Sequence, residues 1–277
     1  GESVQGTSAT FTYESAGVYT AEMVAQPDFG GVTRVELGGA AALDLATIGG
    51  LSSLSDATHF IFSGKAYLNE VPQSTFPASG RTIDIKNEGQ FTVRTDRLHP
   101  FKVLNILRSG VYGPYDDLGE NKEKILCRQT SISGQLGKEV VGPATTHIDW
   151  TGTIDFSAST GIGGGNAPNL EQLSTRFGGS VGSLRDTITG CPDLINADIR
   201  GSRPSGDLSG QGVVQSSLQS LRANQNDLSA PITDFSNATS LTLLNLTKKR
   251  LNFTQGWSSV PLDDMIDALY QDRTVVP

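Results

Sequence analysis

One stretch near the end of the chain repeats itself. Over residues 216–253, SSLQSLRANQNDLSAPITDFSNATSLTLLNLTKKRLNF, the residues Leu218, Leu221, Ala223 and Leu228 recur as Leu241, Leu244, Leu246 and Leu251, each 23 positions later. A polar residue precedes the last leucine of each copy, Asn226 in the first and Lys249 in the second. Two apolar residues spaced by two lie on one face of a β-strand. A unit this short cannot bury that face alone, so it must stack against copies of itself. The repeat therefore points to a solenoid, and the question is how far the pattern extends.

Searching from Gly31 for an inward apolar pair at positions 0 and +2 gives ten pairs. They are Val35/Leu37, Ile61/Ser63, Ile83/Ile85, Leu104/Ile106, Ile125/Cys127, Ile148/Trp150, Leu173/Thr175, Ala197/Ile199, Leu221/Ala223 and Leu244/Leu246. The steps between them stay between 21 and 26 residues, and only Ser63 and Thr175 are polar. Three residues before each pair the pattern is weaker. Val32, Phe101, Leu170, Leu194, Leu218 and Leu241 fit there, while Thr58, Gly80, Lys122 and Thr145 do not. Intervening segments such as FSASTGIGGGNAPN and GSRPSGDLSGQG are rich in Gly, Ser and Pro. They predict irregular loops on the side opposite the strands.

Both ends depart from the repeat, as the open ends of an array require. Residues 8–24 alternate around Glu14–Gly17 and predict a β-hairpin cap within residues 1–30. In VPLDDMIDALYQDR, the residues Leu262, Met265, Ile266 and Leu269 share one helical face, with Pro261 and two aspartates at its start. A helical cap is expected in residues 254–277, leaving residues 31–253 as the array.

With these residues laid out, the chain resembles the leucine-rich-repeat superfamily over roughly residues 31–253. The segments LQSLRANQNDLSAPI, LTLLNLTKKRLNF and PLDDMIDALYQDR carry the likeness, which is nearest to irregular arrays of bacterial surface proteins and bacteriophage structural proteins. The resemblance implies a leucine-rich-repeat solenoid with a parallel sheet on its concave side. It also implies a structural or recognition role rather than catalysis, with no cofactor. The first expectation is a virion component (decoration, fibre or tail part) that binds other virion subunits or a glycan, with self-association allowed. The second is a secreted or surface-attached bacterial recognition protein. The third, from a different class, is a β-helix enzyme that degrades polysaccharide. Several strands per coil and a carboxylate cluster would mark it.

The charge balance narrows the partners. Lysine and arginine number 21 against 29 acidic residues, a formal charge of −8, which argues against the basic footprint of nucleic-acid binding. No apolar run reaches the length of a membrane span, and the opening residues do not form a secretory leader pattern.

Residues flanking each inward pair should face out on the sheet. They gather Arg128, Asp149, Arg176, Asp198, Arg200 and Arg222 into one mixed-charge area, with His147 beside it. This is the expected partner-binding face; the competing reading is a solvated sheet whose charges pair across strands. Phe60 and Phe62, flanking Ile61, are expected to face outward and to be covered by the chain itself. The histidines His59, His99 and His147 form no zinc motif, and GIGGGN at 161–166 lacks the lysine of a phosphate loop. Asp149 and Asp155 do not stand out as a catalytic pair. Cys127 and Cys191 fall three turns apart. That is roughly 14 Å at about 4.8 Å per strand, against the about 7 Å between Cα atoms that a bridge allows, so two free thiols are expected. Sequons occur at Asn237, Asn245 and Asn252.

Overall fold

The computed structural model describes residues 31–38, 42–47, 49–64, 66–73, 75–86, 91–128, 130–135, 140–151, 154–155, 167–176, 190–200, 216–222 and 239–245. One strand from each repeat enters a single sheet of ten. These strands are β1 (Arg34–Leu37), β3 (His59–Phe62), β5 (Thr82–Lys86), β7 (Val103–Leu107), β9 (Lys124–Arg128), β11 (His147–Thr151), β13 (Gln172–Arg176), β14 (Asn196–Asp198), β15 (Ser220–Arg222) and β16 (Leu243–Asn245). They lie side by side in chain order and all pairs are parallel. The fold is a parallel β-solenoid.

The inward ladder is the one that the leucines predict, with one exception. Val35, Phe60, Ile83, Leu104, Ile125, Ile148, Leu173, Ala197, Leu221 and Leu244 align strand to strand. In β3 the inward pair is Phe60/Phe62, not Ile61/Ser63; both phenylalanines are fully buried and Ile61 lies on the outward face. This overturns the expected outward pair of phenylalanines. HFIF carries three apolar residues in a row, so alternation alone does not set its phase, and a slip of one residue exchanges the faces. Neighbouring rings decide it. Phe60 packs on Phe76 and Phe101 at 5.4 and 5.7 Å, and Phe62 on Phe91 at 4.6 Å. The correction also places buried Ala57, rather than Thr58, three residues before the pair.

Six of the coils approach their strands by the same turn. The amides of Ala57, Gly80, Phe101, Thr145, Leu170 and Leu194 each donate to the carbonyl three residues back. Cys191 accepts in the turn before β14 and Cys127 faces inward from β9; both are buried free thiols. Burial raises both thiols, Cys191 to about 12, and keeps them protonated and unreactive.

The opposite side differs from the expected irregular loops. Short strands β6 (Thr92–Arg94), β8 (Gly110–Pro114), β10 (Ser131–Gln135) and β12 (Ile154–Asp155) form a second parallel sheet. Two more, β2 (Ala42–Asp44) and β4 (Ala66–Leu68), pair with each other. Val93, Val111 and Ile132 bury their side chains from this sheet into the common core. Gly113 in β8 has φ +120°, and a Cβ there would lie 2.5 Å from Thr95 Oγ1, so only glycine fits this bend. Coils with strands on two sides meet one of the two marks expected of a β-helix, several strands per coil. Both expected caps, and the loops at 156–166 and 201–215, lie outside the described residues.

Candidate partner-binding face

Two rows of side chains cross the strands on the outward face of the ten-stranded sheet. One row follows each inward residue: Leu126, Asp149, Ser174, Asp198 and Arg222 over β9 to β15. The other precedes it: Lys124, His147, Gln172, Asn196 and Ser220. Adjacent members sit about 4.8 Å apart, the strand spacing. Ser174, small and set between two aspartates, is at the centre of a depression of about 410 Å³. Its rim carries His147, Gln172 and Asn196 on one side and Asp149 and Asp198 on the other, with Leu126 at one end.

The charges are largely satisfied within the face. Arg128 donates to Asp149 Oδ2 through Nε at 3.0 Å and also through Nη2. Arg200 forks onto Asp198 with two bonds of 2.7 Å. These contacts hold both guanidiniums above their ordinary basicity, the hydrogen bond to the aspartate being the main cause. Asp149 Oδ1 is shielded from solvent and meets no donor among the described residues. Away from the depression the pattern repeats, with Lys86 on Asp84 at 2.9 Å and Arg34 on Glu36 at 3.0 Å.

Burial lowers the pKa of His147 most, then the positive charge of Lys124, against an opposing pull from Glu171. Thr146 Oγ1 lies 3.4 Å from the Glu123 carbonyl and shares a hydrogen bond with His147 Nδ1 at 2.8 Å. The ring's Nε2 is left for a further partner. Across the next strands Asn196 Nδ2 donates to Gln172 Oε1 at 3.0 Å, so each amide keeps an unshared donor or acceptor end.

Of the residues expected here from sequence, His147, Asp149 and Asp198 line the depression, and Arg128 and Arg200 brace its aspartates. Arg222 is exposed beside Asp198, in register with it. Arg176 closes β13 opposite Thr151; its side chain lies outside the described set. Sequence reasoning passed over Gln172, Asn196 and Lys124. The residue before each inward pair faces outward just as the residue after it does, and reading both flanks of each pair would have found them. Asp149 and Asp155 lie in strands of different sheets. Among the described residues no group of three His, Cys, Asp or Glu side chains is placed to hold a metal ion. No helix of the described residues is long and apolar enough to cross a membrane.

No protein-family model matches the chain, and no curated protein matches it. Among solved structures, it is similar to the LRR ectodomain of the plant membrane receptor kinase GASSHO1/SCHENGEN3 from Arabidopsis thaliana, solved in complex with CASPARIAN STRIP INTEGRITY FACTOR 2. The TM-score is 0.50 at 14% sequence identity, over 75% of this chain and 28% of that one. The chain therefore spans less than a third of that ectodomain's length. The likeness is one of fold, and it agrees with the leucine-rich-repeat reading of the solenoid.

Proposed function

We propose that this chain is a non-enzymatic recognition protein that holds a protein or glycan partner on the outward face of its ten-stranded sheet, between β9 and β15. One observation carries the reading. Three of the residues picked out by the repeat pattern, His147, Asp149 and Asp198, line the depression beside Ser174, and Arg128 and Arg200 bind its two aspartates. The complex formed by the similar ectodomain supports binding as a use of this fold. Against a hydrolase, Asp149 and Asp198 are both already engaged in ion pairs with arginines. The assembly we favour is a bacteriophage virion, on the strength of the resemblance of the last two repeats. A secreted or surface-attached bacterial recognition protein is the second reading. Neighbouring genes for capsid and tail proteins would favour the first, and an export signal in the precursor the second.

Binding is tested by selecting ligands for the full chain from a peptide-display library and a glycan array. Arg200→Glu and Arg222→Glu should each weaken the selected ligand by about tenfold without altering thermal unfolding. Ligands bound equally by both variants would remove this face from consideration.

A further inference from the structure

We infer that the depression centred on Ser174 takes an uncharged saccharide, gripped between its two rows of polar side chains. The inference rests on the reading of this face as a recognition surface and narrows it to one ligand chemistry. The first ground is charge. The aspartates of the rim already carry their counter-ions, Arg128 on Asp149 and Arg200 on Asp198. A cationic ligand would have to displace an arginine, and an anionic one would have to compete with an aspartate for it. Either exchange forfeits an existing charge-assisted bond. A neutral ligand leaves both pairs in place.

The second ground is the hydrogen-bond inventory. His147 lies on the rim with Nδ1 bonded to Thr146 Oγ1, which leaves Nε2 for a ligand. The Gln172–Asn196 pair uses one donor and one acceptor, leaving Gln172 Nε2 as a donor and Asn196 Oδ1 as an acceptor on the rim. An amide donor beside an amide acceptor matches hydroxyl groups, each of which both gives and takes a hydrogen bond. Leu126 supplies an apolar contact for the C–H surface of a ring at one end. The volume, about 410 Å³, lies within the range of small-ligand sites.

The test uses the full chain on an array of neutral and acidic oligosaccharides, with titration calorimetry of any neutral oligosaccharide retained. Ser174→Trp fills the floor, and Gln172→Ala removes a rim donor with little demand on folding; circular dichroism establishes that each variant is folded. The expected result is retention of a neutral oligosaccharide, with binding unchanged at about 0.5 M salt, where exposed charge–charge attraction is screened. Either variant should weaken it by about tenfold or more. Retention of acidic oligosaccharides alone, or of peptides sensitive to Arg200→Glu but not to Ser174→Trp, would overturn the saccharide assignment and keep the face as a recognition surface. If no ligand responds to any of the four substitutions, both readings fall.

Discussion

Lys122 occupies a position where this fold otherwise wants a leucine. Phe101, Leu170, Leu194 and Leu218 hold the same place in other coils, three residues before the inward pair, and all are buried. Lys122 is buried too, and its amine donates to the carbonyls of His99 at 3.0 Å, Phe101 at 2.5 Å and Leu98 at 3.4 Å. In the following coil Thr145 fills the place, donating from Oγ1 to the Lys122 carbonyl and accepting from the Gly142 amide at 3.0 Å. The stretch where the leucine pattern lapses is therefore a hydrogen-bonded polar stitch across three coils. Burial, helped by the charge of Lys102, pulls the Lys122 amine from 10.5 down to about 7. Between those values the unfolded chain binds the proton more tightly than the folded one, so this group makes stability rise with pH from about 7 to about 10.5. In Lys122→Met that increment should vanish. Urea unfolding of both proteins at pH 7 and pH 10 checks this, and parallel pH slopes would refute it.

At the scale of the strand, the phase of β3 has a direct mutational signature. Phe60→Ala should cost about 3–5 kcal/mol, because it opens a hole beside Phe76 and Phe101. Ile61→Ala, on the outward face, should cost less than about 1 kcal/mol. Denaturant unfolding would reverse that order if the Ile61/Ser63 phase were the true one. Elsewhere the sequence was legible wherever apolar residues alternate with polar ones, as in TIDIK and HIDWT, because a period of two leaves one choice of face. It was illegible where that contrast fails. HFIF offers two phases, and only rings arriving from residues 76, 91 and 101 select one. The second row of strands was missed for a related reason. Its strands bury few side chains, Val93 alone in β6 and Val111 alone in β8, too little for any periodicity to register. At the candidate site the charged residues stood out, whereas the amides of Gln172 and Asn196 carry no such signal until the strands align them.

Taken whole, the molecule is held together by stacking between neighbouring coils rather than by cross-links. Both thiols are free and buried, so thermal unfolding should be the same with and without reductant; a shift would reveal a disulfide that this register forbids. Stacking also makes stability depend on place. In a solenoid each coil is secured by its two neighbours, and a coil with a poorly buried inward residue is the first to open. The inward residues Ile83, Leu104 and Ile125 are fully buried and Leu221 likewise, but Leu244 is only partly so, and Leu241 three residues before it is also half-covered. The amides of Val103 and Leu243 allow a like-for-like comparison. Each stands just before its inward residue and donates to the carbonyl one residue before the facing strand position, Arg81 and Gln219 respectively, at 2.9 and 3.1 Å. Local hydrogen bonding is therefore alike, and any difference in exchange reports how readily each coil opens. Hydrogen exchange at Leu243 should be at least about 100-fold faster than at Val103, a gap of roughly 2.7 kcal/mol in opening free energy. Equal protection at the two amides would mean that the array opens only as a unit, and that the β16 end is as firmly closed as its middle.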